Sequence, residues 1–303
     1  MKAKAVLNRQ SGTLKSVDLD SFCIYLKSAF AHRGISVECR AVGGRGLIPA
    51  LREAVETEDT DILIAGGGDG TISAAASIVQ EAGKPLGIIP AGTMNMFARS
   101  LGIPLDIHAA ADALAGGSIR RCDFATANGR MFLYQYAVGL HPKMVRLRNE
   151  QEFRSRLGKI LASASALLQS LGQPPLFDVE LKVDGAPSKR RVSSIAVSNN
   201  RFGEGHFPYA DHVDGGELGL YVVGAISDRS SARLITDLIL GTWRSNDDVQ
   251  EFGAKKISLE FLNLPRRARA SIDGELIGLE EKVSLEIHPG GLQVLAPATD
   301  TAK

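Results

Sequence analysis

Little in this sequence is lopsided, and each thing it lacks removes a class of protein. Its 303 residues carry 35 Lys and Arg against 34 Asp and Glu, a formal charge of only +1. No whole-molecule field is available to hold a nucleic acid, so any attraction to an anionic surface must be local. Cysteine is scarce. Cys23, Cys39 and Cys122 form no CxxC pair, and nothing beside them in sequence would activate a thiolate, so they read as buried, reduced, structural thiols. The amino terminus, MKAKAVLNRQSG, turns polar too soon for a signal peptide, which points to a cytoplasmic protein. Long apolar runs are missing as well. The one extended uncharged stretch, Ile160 to Phe177, is rich in Ser, Ala and Gln and is broken by Pro174 and Pro175, so it is no membrane span. Internal repeats and low-complexity segments are absent apart from the last few residues.

What is present is ample core material, 44% hydrophobic residues against 23% charged, in a chain long enough for two domains. The first third alternates short β-rich runs with helical spacing: Ala3 to Leu7, then Leu19, Phe22, Cys23, Leu26 and Phe30, then Ile35 to Ala41. A helix from Leu47 to about Val55, a strand from Asp61 to Ala65, a helix from Ile72 to Glu81 and a strand from Leu86 to Ile89 continue that rhythm, which is that of a parallel α/β sheet. After about Arg121 the texture becomes β-rich, with strands expected at 132–138, 177–183, 192–197, 218–223, 256–261, 269–272 and 282–287, as in a β-sandwich. Helical patterns interrupt it at 146–171 and 228–240. The expected organisation is an α/β domain over 1–121 and a β-rich domain over 122–303.

Three glycine-bearing loops follow strands of the first domain. Gly66, Gly67, Gly68, Asp69, Gly70 and Thr71 lie between a strand and a helix, where parallel sheets place ligands and where backbone N–H groups and a helix amino terminus favour phosphate. Pro90-Ala91-Gly92-Thr93-Met94-Asn95 follows the next strand and belongs to the same rim. Asn8-Arg9-Gln10-Ser11-Gly12 follows the first strand and offers side-chain and backbone donors, although alone it is an ordinary turn. No GxxxxGK[ST] occurs and no GxGxxG opens a helix after the first strand, so neither a Walker A loop nor a Rossmann fingerprint is present.

Taken in order, GGGDGT, PAGTMNMFARSLGIP, VGLHPK, SNNRFG and SIDGE resemble the diacylglycerol kinase catalytic-domain superfamily, which includes bacterial lipid kinases and relatives of the sphingosine kinases. The resemblance implies ATP and Mg2+ as cofactors and a lipid hydroxyl as acceptor, diacylglycerol first among the candidates. It implies that Gly66, Gly67, Gly68, Gly70 and Thr71, with Gly92, Thr93 and Asn95 and with Asn8, Ser11 and Gly12, bind ATP. Asp69 is then a catalytic residue and a metal contact. Glu275, in the Asp273-Gly274-Glu275 motif, is the expected general base, although Asp-Gly by itself is a strong turn dipeptide. Asp123 and Asp214 are expected metal contacts, Asp214 within an Asp214-Gly215-Gly216-Glu217-Leu218 loop that Asp211 joins. His141, Asn199 and Asn200 also match the resemblance and are read as structural. Met96 stands where many relatives carry an acidic residue. NAD kinase shares a GGDGT loop, but the segment that usually follows it there is replaced here by PAGTMNMFARSLGIP.

Basic residues Lys143, Arg146, Arg148, Arg154, Arg156 and Lys159 precede Ile160, Leu161, Leu167, Leu168 and Leu171. Basic followed by apolar suits either an interfacial helix contacting the inner face of a membrane or a charged helix covering the β-domain.

Overall fold

The computed structural model describes residues 1–140, 142, 175–203, 210–227, 230, 233–234, 237 and 241–298. The basic stretch from Lys143, the helical pattern at 146–171, most of that at 228–240, and His141 lie outside the described residues. The chain forms two units, Met1–Phe124 with Pro289–Lys303, and Ala125–His288.

In the first unit four strands, β1 (Lys2–Asn8), β2 (Ser36–Val42), β3 (Ile62–Gly67) and β4 (Leu86–Pro90), pair in parallel in the spatial order β2-β1-β3-β4. Every residue of β3 is buried, as expected of a strand flanked on both edges and covered on both faces. Helices α1 (Leu19–Ala31) and α5 (Ile107–Ala115) pack together, as do α2 (Leu47–Glu56) and α3 (Asp69–Ala82). Asp18 starts α1 by accepting the backbone N–H groups of Asp20 and Ser21, satisfying donors that the helix cannot. Phe22, Leu26 and Phe30, spaced by four, are all but fully buried, each contributing about 2 kcal/mol of burial. Gly83 stops α3 at φ 66, a left-handed cap that glycine adopts without a Cβ clash.

One expectation fails in this unit. Cys23 on α1 and Cys39 on β2 are joined by a disulfide, with Cα atoms 5.6 Å apart, rather than standing as reduced thiols. The apolar face of α1 packs on β2, which brings together two residues 16 apart whose pairing no sequence pattern marks. Cys122 is buried and is not part of that bond.

The second unit is antiparallel and carries the β-sandwich fold. Its strands β6 (Arg130–Phe132), β7 (Gln135–Gly139), β8 (Phe177–Val183), β9 (Ala186–Asn199), β10 (Leu218–Gly224), β11 (Val249–Ala254), β12 (Lys256–Phe261), β13 (Arg269–Ile272) and β14 (Glu275–Gly278) pair β14-β13-β7-β9-β8-β12, with β10 beside β9 and β11 beside β10. Alternate residues of β8 and β12, including Phe177, Val179, Leu181, Ile257, Leu259 and Phe261, enter one apolar core. Three hairpins turn on two residues with positive φ: Asn128-Gly129, Asp184-Gly185 and Asp273-Gly274. That is the geometry whose twist matches two paired strands, and Asn or Asp followed by Gly is the pair that tolerates it.

Two strands, β5 (Ser118–Ala127) and β15 (Lys282–Ala296), run through the boundaries between units. The boundary expected at 121 falls within β5; the chain leaves the first unit after Phe124 and re-enters it at Pro289. The far end of β15 is buried, and its Val294 pairs in parallel with Leu86 of β4. Helices α4 (Met96–Ser100) and α5 and strands β5, β11 and β14 add to the elements expected from periodicity.

The disulfide closes a loop of 16 residues, so Cys23→Ser is expected to lower stability by about 3 kcal/mol under oxidising conditions. Urea unfolding of the oxidised protein measures the loss, and the difference should largely vanish when both proteins are unfolded in excess dithiothreitol.

Candidate active site

The spatial order β2-β1-β3-β4 reverses direction between β1 and β3, and open α/β sheets bind ligands at the carboxyl ends of strands at such a switch point. The loops after β1 and β3 meet there. Asn8 Nδ2 donates to Thr71 Oγ1 at 3.0 Å, and Ser11 Oγ accepts from the Gly68 N–H at 3.3 Å. The loop after β4 joins them: Ala91 N–H donates to Gly67 O at 2.8 Å, and Ala91 O accepts from Thr13 N–H at 3.0 Å.

Asp69 locks the second loop to the third. Its Oδ2 accepts the Asn95 N–H at 3.0 Å and its Oδ1 the Met96 N–H at 2.7 Å. These amides begin α4 and have no acceptor within it, so one carboxylate satisfies two otherwise orphaned donors. Asn95 has φ 51, and its side chain closes a small ring with Gly92, accepting from Gly92 N–H at 2.8 Å and donating to Gly92 O at 3.0 Å. Van der Waals space dictates the glycines. A Cβ on Gly92 would lie 2.6 Å from Gly68 Cα and 3.5 Å from Asp69 N, and one on Gly67 would lie 2.4 Å from Thr71 Cβ.

The residues expected at this site therefore divide by exposure. Gly12, Gly70 and Thr93 are exposed on the rim, and Gly68 and Gly92 are half-buried beside them. Ser11, Thr71 and Asn95 are buried and bind the loops to one another, while Gly66 and Gly67 end the buried strand β3. Two residues that motif reasoning passed over, Arg9 and Gln10, anchor the first loop to the end of β2. Arg9 donates from N to Val42 O at 2.8 Å and from Nη2 to Ala41 O at 2.7 Å, and Gln10 Oε1 accepts from Gly44 N–H at 3.1 Å.

In the second unit the Asp273-Gly274 turn brings Glu275 to the start of β14. Asp273 accepts backbone N–H groups of Leu133, Tyr134 and Gln135 at 2.9, 2.9 and 3.0 Å, a structural role for this carboxylate. Glu275 is exposed and accepts from Arg130 Nη2 at 2.7 Å through Oε2. With both side chains more than half exposed, that pair is worth about 0–1 kcal/mol and yields readily to another partner. No sequence signal marked Arg130. The hairpin turn and an available carboxylate coexist in this motif.

The remaining carboxylates stand apart in character. Asp123 is 1% exposed and accepts from Gly290 N–H at 2.8 Å through Oδ1, whereas Asp214 is exposed on its loop. Among the described residues no three His, Cys, Asp or Glu side chains gather to cage a metal ion. Asn199 donates from Nδ2 to Leu133 O at 3.1 Å. Asn200 is different. It has φ 64, is 2% exposed, and neither polar atom of its side-chain amide has a partner among the described residues.

Residues 2–127 match the diacylglycerol kinase catalytic domain, and residues 137–296 match the YegS C-terminal NAD kinase beta sandwich-like domain. The chain belongs to this lipid kinase family. A protein of Staphylococcus haemolyticus named "Putative lipid kinase SH2167" is 26% identical over 79% of this chain and 77% of its own length. An uncharacterized protein of Synechocystis is 27% identical over 92% of this chain, which spans only 64% of that relative. Two solved structures from Bacillus anthracis, each titled a "putative diacylglycerol kinase", share the fold. One has a TM-score of 0.75, 23% identity and coverage of 98% and 97% of the two chains; the other has 0.76, 22%, and 97% of both. Membership gives the departure at Met96 a structural setting. Its side chain is 7% exposed, and its amide rather than its side chain meets Asp69.

In this lipid kinase relative Gly92→Ala must push backbone against backbone at Gly68, and Asp69→Asn turns an NH2 group toward one of two N–H donors. Each is expected to cost about 1–3 kcal/mol of stability in urea unfolding. Unchanged midpoints would show that the loops do not depend on one another.

Proposed function

We propose that the protein transfers the γ-phosphoryl group of ATP to a lipid hydroxyl, with diacylglycerol as the acceptor. The observation that carries this reading is the meeting of three loops at the β1/β3 switch point, with the glycine space held open beside the first amides of α3. The N–H groups of Asp69 and Gly70 lie in the first turn of that helix and have no acceptor within it, which suits a phosphate oxygen. A Cβ on Gly92 would fill the space over Asp69 N, so the cradle fits a phosphate chain as built. Gly12, Gly70 and Thr93 line its rim, while Asn8, Ser11, Thr71 and Asn95 hold its shape.

Phosphoryl transfer asks a protein mainly for positioning and charge neutralisation. Both oxygens of Asp69 are engaged by backbone donors, yet each retains a lone pair, so Asp69 would hold Mg2+ together with the phosphates rather than alone. Mg2+ supplies neutralisation of charge on the phosphate oxygens. Glu275 acts as general base: Oε1 is left to accept the acceptor's hydroxyl proton while Arg130 steadies Oε2. Asp123 is too enclosed to be more than an outer contact. Asp214 would hold a structural cation on its exposed loop. The unpartnered Asn200 amide supports that reading, because Asn200 Oδ1 lies 2.8 Å from where a Cβ of Gly215 would sit.

The test is a radiolabelled ATP assay against diacylglycerol, other hydroxylated lipids and NAD, resolved by chromatography. A labelled lipid is expected; a labelled dinucleotide would make the protein an NAD kinase, and no product would leave it a binding relative. Glu275→Gln should lower kcat by about 100- to 10,000-fold with ATP affinity retained, and its melting temperature should stay near wild type.

A cation held by Asp214 stabilises the folded state by mass action. Millimolar Mg2+ is therefore expected to raise the melting temperature of the wild type and to raise it less for Asp214→Asn, read by calorimetry without any substrate.

A further inference from the structure

The loop formed by residues 8–12 is held from two sides. Its amino-terminal half is tied to the end of β2 through Arg9 and Gln10, by bonds to Ala41, Val42 and Gly44. Its carboxyl-terminal half passes through a short turn, Thr13–Ser16, directly into the Asp18 cap of α1. The position of α1 relative to β2 therefore decides how the loop is stretched between them. One covalent bond fixes that position, the Cys23–Cys39 disulfide, with Cys39 three residues before Val42 on β2.

Without it, packing and the short connection 32–35 at the far end of α1 would keep the two elements together. Phe22, Leu26, Phe30 and Val37 are buried, so α1 would stay docked, while the staple nearest the loop would be gone. Cys23 is at the margin of burial and Cys39 is partly exposed, so an attacking thiolate has a way to the bond. Cys122 is fully buried, with its Sγ against Leu292 O, and takes no part.

We propose that Cys23 and Cys39 form a reversible thiol–disulfide site that sets the order of the 8–12 loop. The reductant is a small thiol such as glutathione or a protein dithiol. Its thiolate attacks one sulfur and releases the other cysteine as a thiolate, giving a mixed disulfide. A second thiol then resolves that intermediate. In all, two electrons and two protons pass to Cys23 and Cys39, and the reductant leaves as its own disulfide. Oxidation closes the staple and orders the loop; reduction loosens it. The consequence for ATP rests on the proposed function, but the consequence for the loop does not.

The experiment equilibrates the full chain with glutathione thiol and disulfide at graded ratios, traps thiols by alkylation and locates the bond by mass spectrometry. Hydrogen exchange at the amides of residues 9–12 and 44, and ATP binding by calorimetry, are then measured on both forms. Slower exchange in the oxidised form is expected, with ATP bound about 5-fold or more tightly. Cys39→Ser should match the reduced wild type at every ratio, and Cys122→Ser should keep the response. The proposal is overturned if no Cys23–Cys39 bond forms at any ratio, or if exchange at 9–12 is the same in both forms. Exchange that differs while neither form binds ATP would support the switch and remove the nucleotide reading alone.

Discussion

The two oxygens of Asp69 are the point on which the rim of the parallel sheet depends. Each accepts one amide at the start of α4, so the loops after β3 and β4 are joined through a single side chain. The strength of the arrangement comes from need on both sides: a carboxylate in a half-buried place requires donors, and a helix start requires an acceptor. Once these loops are fixed, Gly68 and Gly92 can approach within the distance of a missing Cβ, and the space above α3 takes its shape from that contact. A residue expected to do chemistry thus also does construction. The two roles are compatible, because backbone donors use one lone pair of each oxygen and leave another.

The second unit solves a different problem with the same economy of side chains. Asp273 accepts three amides of the 133–135 backbone, and the hairpin that results presents Glu275 in the open, paired among the described residues with an exposed Arg130. Adjacent acidic residues are thereby separated into a rigid one and an available one. Burial and donor count, rather than residue type, make the distinction.

Most of the first unit was legible in the sequence because helical and strand periods alternate cleanly there, and because a glycine loop after a buried strand has few other uses. Expected strands at 177–183, 256–261 and 269–272 coincide with those of the structure, and in the first two burial alternates along the strand. The three Asn-Gly or Asp-Gly hairpin turns carry the same local signal, and the third differs in the glutamate that follows it. What could not be read was whatever depends on residues far apart. The Cys23–Cys39 bond, the Arg130–Glu275 pair and the unpartnered Asn200 amide each arise from packing between elements, which leaves no local period. Helix α4 was missed because it is a single turn whose start is stabilised from outside by Asp69.

The return of β15 to the first unit has a consequence for the order in which the protein can be made. On the ribosome β4 emerges long before Val294, the residue that pairs with it. Its outer edge, a run of buried Leu, Gly, Ile, Ile and Pro in the finished fold, stays bare while all of the β-sandwich is synthesised. Bare apolar edges invite pairing with other chains. The nascent first unit is thus an unfinished sheet until β15, which follows the whole β-sandwich in the chain, has been made.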